Sequence, residues 1–289
     1  MTILRLPDGR NLEYLVEGPA GGRPLVLHNG TPSAASLYEP IVTAAARNGL
    51  RVVTTSRPGY AGSTAQPGRT VASVAADVAA LLDALGADRF LTVGWSGGGP
   101  HALACATLLS GRCAAAATIA GVAPYDAEGL DWLAGMGAEN IEEFGAAATG
   151  PAELTAFLEA QVPALANVRG DQLGAALGDL VSDVDKVALT DTFADYTAGM
   201  FRAAVSAGVD GWRDDDLAFV TGWGFDLDAL TTPVAIWQGA QDRMVPFAHG
   251  RWLADHVPGA TVHLDEAEGH LSLVITAFDA IVADLATHR

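Results

Sequence analysis

Residues 90–100 read Phe90-Leu91-Thr92-Val93-Gly94-Trp95-Ser96-Gly97-Gly98-Gly99-Pro100, and a helical run continues from Pro100 to Leu109. The short apolar run ending at Gly94 has the character of a strand buried on both faces. Gly94-Trp95-Ser96-Gly97-Gly98 is a G-x-S-x-G match set between that strand and the helix. In this setting the serine occupies a strained turn and its hydroxyl projects above the sheet. Glycine suits positions 94 and 98 because side chains there would collide across the turn. The helix N-terminus favours developing negative charge, and the Gly97 N–H is placed to donate to it. Ser96 is therefore a candidate nucleophile.

Working outward, Leu25 to His28, Arg51 to Thr55 and Ala115 to Ile119 are further short apolar runs. Thr70 to Leu85 has helical spacing, with apolar residues at Val71, Val74, Val78, Leu81, Leu82 and Leu85. Strands alternating with helices predict a mostly parallel sheet covered on both faces, an α/β fold. Thr2 to Leu6 and Asn11 to Val16, joined through Asp8-Gly9, predict a hairpin before it. From Pro124 to Leu230 strand signals disappear. Helices are expected over Pro151 to Ala166, Gly170 to Val181, Leu189 to Ala207 and part of Gly211 to Gly222. Asp214-Asp215-Asp216 within that stretch reads as a solvated turn or helix start. Strands return at Pro233 to Trp237 and Thr261 to Leu264, and a last helix is expected from Leu273 to Thr287. Residues 1–123 and 231–289 thus read as one core domain, interrupted by a helical insertion over 124–230.

A serine nucleophile needs a base, and the base needs an orienting acid, in the chain order serine, acid, histidine. Asp242 follows the strand ending at Trp237, and His270 follows the strand ending at Leu264. Both are expected on the same side of the sheet as Ser96. His270 is the candidate general base and acid, and Asp242 the orienting acid, with Asp126 as an alternative. The remaining histidines, at 28, 101, 249, 256, 263 and 288, read as structural or surface residues. The loop His28-Asn29-Gly30-Thr31-Pro32 follows another strand. Its Thr31 N–H is the candidate second oxyanion donor beside Gly97.

Composition narrows the partners. Sixteen basic against 34 acidic residues give a formal charge of −18, which disfavours nucleic acid and anionic membrane surfaces. No apolar run reaches the length of a membrane span, and the N-terminus does not read as a signal peptide. The two cysteines, Cys105 and Cys113, are expected to be buried free thiols, in keeping with a reducing cytoplasm. No metal or organic cofactor is expected.

Five motifs in order (HNGTP at 28–32, SRPGYAGS at 56–63, GWSGG at 94–98, GAQD ending at Asp242 and EGH ending at His270) resemble the α/β-hydrolase superfamily in its serine-nucleophile, esterase-like branch. The resemblance covers nearly the whole chain. It implies an eight-stranded, mostly parallel sheet flanked by helices, with the insertion over 124–230 acting as a helical cap. It further implies cleavage of a small or medium carboxylic ester through an acyl-enzyme on Ser96. Serine in place of aspartate at the elbow argues against dehalogenase and epoxide-hydrolase relatives. The family often has aspartate where this chain has Ser56, a position that is usually structural. The aromatic residues of the insertion suggest an apolar pocket suited to an uncharged or weakly charged ester. The alternatives are a hydrolase or acyltransferase working on a non-ester acyl bond (amide, carbon–carbon or thioester), and a ligand-binding sensor with little turnover. Oligomeric state is not legible.

Overall fold

The computed structural model describes residues 1–289, the side chain of Asp191 excepted. Thr2–Arg5 (β1) and Asn11–Glu17 (β2) form the expected antiparallel hairpin. The chain then alternates through Arg23–His28 (β3), Glu39–Arg47 (α1), Leu50–Thr55 (β4), Val74–Ala84 (α2), Phe90–Trp95 (β5), Gly98–Leu108 (α3) and Cys113–Ile119 (β6). Six α-helices follow: Ala138–Thr149 (α4), Pro151–Leu165 (α5), Gly170–Ala176 (α6), Asp183–Ala188 (α7), Asp191–Ala204 (α8) and Asp210–Phe219 (α9). The alternation then resumes with Val234–Gly239 (β7), Phe247–His256 (α10), Thr261–Asp265 (β8) and His270–Thr287 (α11).

The eight strands form one sheet in the order β1-β2-β4-β3-β5-β6-β7-β8. β2 runs antiparallel to both neighbours, and every pair from β4 to β8 is parallel. The sheet is therefore mostly parallel, as the short apolar runs predicted. Alternate residues feed two cores, one on each face. Val26, Val53 and Ala116 pack on one face, while Leu25, Leu27, Val52, Ala115 and Ala117 pack on the other. Cys105 and Cys113 are buried and unpaired with each other. Helix α11 is long and apolar enough to cross a membrane by length and composition, yet Leu271, Phe278, Ile281 and Leu285 are buried against the sheet.

Three sequence readings change. The last helix begins at His270 rather than Leu273. The helix expected over Gly170 to Val181 stops at Ala176, because Gly178 adopts a φ of 53° and starts a separate 3-10 turn. The largest correction concerns Asp214-Asp215-Asp216, which is not a solvated turn. All three lie inside α9 and are buried, Asp215 and Asp216 with no exposed surface. For Asp215 the reason is partners contributed from distant parts of the chain.

Asp215 is the centre of that correction. Its Oδ2 accepts from Arg57 Nη2 at 2.6 Å, from Tyr60 Oη at 2.9 Å and from Thr31 Oγ1 at 3.0 Å. Its Oδ1 meets Arg69 Nη2 at 2.6 Å. Burial alone would raise the Asp215 carboxyl, but the charges of Arg57 and Arg69 hold it well below the usual carboxylate range. Arg57 also donates to the carbonyls of Asn29 at 2.7 Å and Gly30 at 2.8 Å. One buried charge cluster thus fastens α9 to the loop after β3. Ser56 is structural as well: its Oγ donates to Glu13 Oε1 and accepts from the Ala35 N–H, both at 2.8 Å. Removing one member of a buried ion pair strands the other without water. Asp215→Ala is expected to cost about 3–5 kcal/mol of unfolding free energy, read from urea denaturation; a loss below about 1 kcal/mol would contradict this account.

Candidate active site

Strands β3, β5, β7 and β8 are mutually parallel, so their C-terminal ends share one edge of the sheet. Loops at that edge are where ligand sites form in parallel sheets. Ser96 follows β5, the 29–32 loop follows β3, Asp242 follows β7, and His270 opens α11 just after β8.

Ser96 occupies the left-handed region with φ 55°, one of few non-glycine residues to do so. Its N–H donates to the Ile119 carbonyl at 2.9 Å, tying the turn to the end of β6. The flanking glycines are dictated by contact. A Cβ on Gly94 would run into the Gly98 carbonyl, and a Cβ on Gly98 into the His28 carbonyl at the end of β3. The turn therefore packs hard against the neighbouring strand end, which brings the Thr31 loop beside Ser96.

His270 Nδ1 and Asp242 Oδ2 are 2.8 Å apart, and both side chains are buried. Asp242 is itself held. Its Oδ1 accepts from the N–H groups of Met244 at 2.9 Å and Val245 at 2.8 Å, and its Oδ2 from Gln238 Nε2 at 3.1 Å. Burial works to lower the His270 imidazole. The charge and hydrogen bond of Asp242, with the charge of Asp185 behind them, outweigh it and raise the group above its ordinary value of 6.5. Asp185, from α7, accepts from three successive amides at the start of α11: His270 at 3.1 Å, Leu271 at 2.7 Å and Ser272 at 3.0 Å. A carboxylate there satisfies helix donors that would otherwise be orphaned and suits the positive end of the dipole. Sequence reading missed Asp185; the Ser182-x-x-Asp185 spacing marks only the start of its own short helix.

Among the described residues, no protein acceptor takes the Gly97 or Thr31 N–H, and no hydrogen bond joins Ser96 Oγ to a protein group. Thr31 Oγ1 is fixed between Arg57 and Asp215, so the loop carrying its amide is rigidly braced. Asp126, the alternative acid, is exposed and lines a separate groove with Trp223 and Trp252.

The other buried histidines are kept neutral. Burial drives His28 well below 6.5, His101 to about 3 and His249 to about 4. His101 Nδ1 lies 2.9 Å from the Gly97 carbonyl, and His249 bridges the Ala123 N–H and the Trp132 carbonyl. His28 contacts Cys105 Sγ at 3.7 Å, under the elbow. No set of three His, Cys, Asp or Glu side chains converges as a metal site among the described residues.

Ser96, Gly97 and Thr31 open onto a cavity of about 100 Å³. That is smaller than the roughly 150 Å³ void known to take up benzene. Phe144, Phe201, Trp212 and Phe219 line it, with Leu165, Leu177, Leu180 and Met244. The pocket is less apolar than the aromatic content suggested, because Glu139, Glu143 and Asp216 also face it. Glu143 accepts from Trp212 Nε1 at 2.7 Å. Burial pushes the Glu143 carboxyl up to about 7, and burial together with the Glu143 charge pushes Asp216 well above its ordinary value. Neither Asp216 oxygen has a hydrogen-bond partner among the described residues.

A family model for the alpha/beta hydrolase fold matches residues 23–275. A non-heme chloroperoxidase of Streptomyces lividans is 30% identical over 252 residues, 86% of this chain and 84% of that protein. Among solved structures, a bromoperoxidase from Bacillus anthracis superposes with a TM-score of 0.70 at 22% identity, covering 99% of both chains. The esterase RhEst1 from Rhodococcus sp. ECU1013 gives 0.69 at 23% identity, again over 99% of both chains.

The histidine geometry makes a testable statement about protons. The folded value of His270 is raised above the unfolded one. Its pairing with Asp242 therefore stabilises the fold fully below the unfolded histidine value, and the contribution is lost as pH rises through the folded one. An NMR titration should give His270 a midpoint above 6.5. In Asp242→Asn, where only the charge of Asp185 still opposes burial, the midpoint should fall; an unchanged midpoint would refute the assigned cause.

Proposed function

The chain belongs to the α/β-hydrolase family, and on that premise we propose that it is a serine hydrolase cleaving a small carboxylic ester through an acyl-enzyme on Ser96. The observation that carries this reading is the buried Asp242–His270 contact of 2.8 Å at the same sheet edge as the strained Ser96 turn. Asp242 takes up Nδ1, which leaves His270 Nε2 as the nitrogen for the Ser96 hydroxyl. His270 removes the serine proton as Ser96 attacks the acyl carbonyl. The amides of Gly97 and Thr31 receive the oxyanion, supported by the N-terminus of α3. His270 then gives its proton to the leaving alcohol. In the second half it takes a proton from water as that water attacks the acyl-enzyme, and Ser96 is released with the acid. Asp242 holds the ring in one tautomer and stabilises its cation.

In this reading residues 124–230 are a cap over a core made of 1–123 and 231–289. The cavity walls support it, since Phe144, Leu165, Phe201 and Trp212 all come from that stretch and face Ser96. The volume of about 100 Å³ favours short acyl groups over long ones. A second reading keeps the same acyl-enzyme and changes the acceptor. The relatives carrying peroxidase names favour hydrogen peroxide, which would take the acyl group to give a peracid and restore the Ser96 hydroxyl.

p-Nitrophenyl acetate tests both readings. Wild-type protein should hydrolyse it, with the rate rising with pH through the His270 titration, and Ser96→Ala should not. Asp242→Asn should lower kcat about 10⁴-fold. Equal rates for wild type and Ser96→Ala would end the proposal. Bromination of phenol red by hydrogen peroxide in acetate buffer, abolished by Ser96→Ala, would favour the peracid route.

A further inference from the structure

We propose that the cavity beside Ser96 is a cation site that selects acyl compounds bearing a protonated amine. The inference deepens the function proposed above and rests on it for the word acyl, but the binding it describes stands on the cavity alone.

Three observations converge. First, the cavity is lined by Glu139, Glu143 and Asp216, and by no lysine, arginine or histidine among the described residues. The carboxyls do not converge as a metal-ligand set. Second, Asp216 has no exposed surface, and neither of its oxygens receives a donor N–H from the protein among the described residues. Glu143 lines the same cavity and takes the Trp212 N–H, which leaves both Asp216 oxygens without a donor. The two acids face the cavity with no protein cation beside them and with acceptor oxygens unused. A buried acceptor left empty is costly, so the arrangement is completed by a donor from outside the chain. Third, Phe144, Trp212 and Phe219 share the same walls, and aromatic faces attract a desolvated ammonium. Trp212 contributes twice, since its N–H also fixes the Glu143 carboxylate at 2.7 Å.

Asp215, the adjacent residue, is not available for this role because its charge is matched by Arg57 and Arg69. The carboxyl without a protein partner therefore lies on the cavity side of α9. A neutral alcohol could fill one acceptor site. Only an ammonium both donates hydrogen bonds and neutralises the pair, so charge rather than hydrogen bonding alone is the discriminating feature.

The test uses full-length Ser96→Ala protein, which binds without turnover. It is titrated by calorimetry with n-butylammonium chloride and, separately, with 1-butanol, its neutral counterpart of like size. The ammonium should bind about tenfold or more tightly than the alcohol. Adding Asp216→Asn should reduce that preference to about twofold or less, and Glu143→Gln should do the same if Asp216→Asn fails to fold. Equal binding of the two probes, or an ammonium preference that survives both carboxyl substitutions, would overturn the proposal. In parallel, wild-type protein is assayed on p-nitrophenyl acetate with n-butylammonium as competitor. Absence of serine-dependent turnover there would sink the hydrolase reading while leaving the calorimetric result intact. Turnover that n-butylammonium does not inhibit competitively would sink the cation site alone.

Discussion

Everything near the site hangs on one buried charge. Asp215 sits in a helix between β6 and β7, yet its partners are Arg57, Tyr60, Arg69 and Thr31 from the first half of the chain. An aspartate without water must be matched or protonated, and here two guanidinium groups match it. Arg57 is in turn spent on the carbonyls of Asn29 and Gly30. The loop that would hold an oxyanion, the loop after β4 and helix α9 are thus parts of a single electrostatic unit. None of the three can shift without unsatisfying the others.

The same contest between burial and partners sorts the histidines. The chain has seven, and the four buried ones begin from the same chemistry. His28, His101 and His249 meet backbone groups, thiol or rings, so desolvation wins and they stay neutral. His270 meets a carboxylate, so desolvation loses. One ring under the elbow is kept inert and one beside it is made basic, with no difference in residue type.

This contest also explains what could be read from the sequence. The sheet, the hairpin and the positions of Ser96, Asp242 and His270 follow from local grammar: short apolar runs, a glycine-flanked turn, and residues just past strand ends. Those signals act within a dozen residues. The role of Asp214–Asp216 did not act locally. Three successive aspartates look solvated until Arg57 and Arg69 arrive from more than 140 positions away. The Glu143–Asp216 pair was hidden for the same reason, since neither residue differs in its neighbourhood from an ordinary helix-surface acid. Helices α4 and α7 carry weaker local signals: α4 has only two large apolar residues, Ile141 and Phe144, and α7 is six residues long.

The Asp185 contact with the first turn of α11 bears on how such a molecule can diversify. A helical segment resting on its sheet through greasy surface alone could be exchanged between relatives like a cassette. Here α7 supplies the carboxylate that closes the helix carrying His270, and α9 supplies the counterion of the 29–31 loop. The segment is therefore part of the scaffold. Grafts that respect ancestry would have to leave those two helices in place and vary the stretch between Gly150 and Gly178, where the walls of the cavity can change without disturbing its foundations.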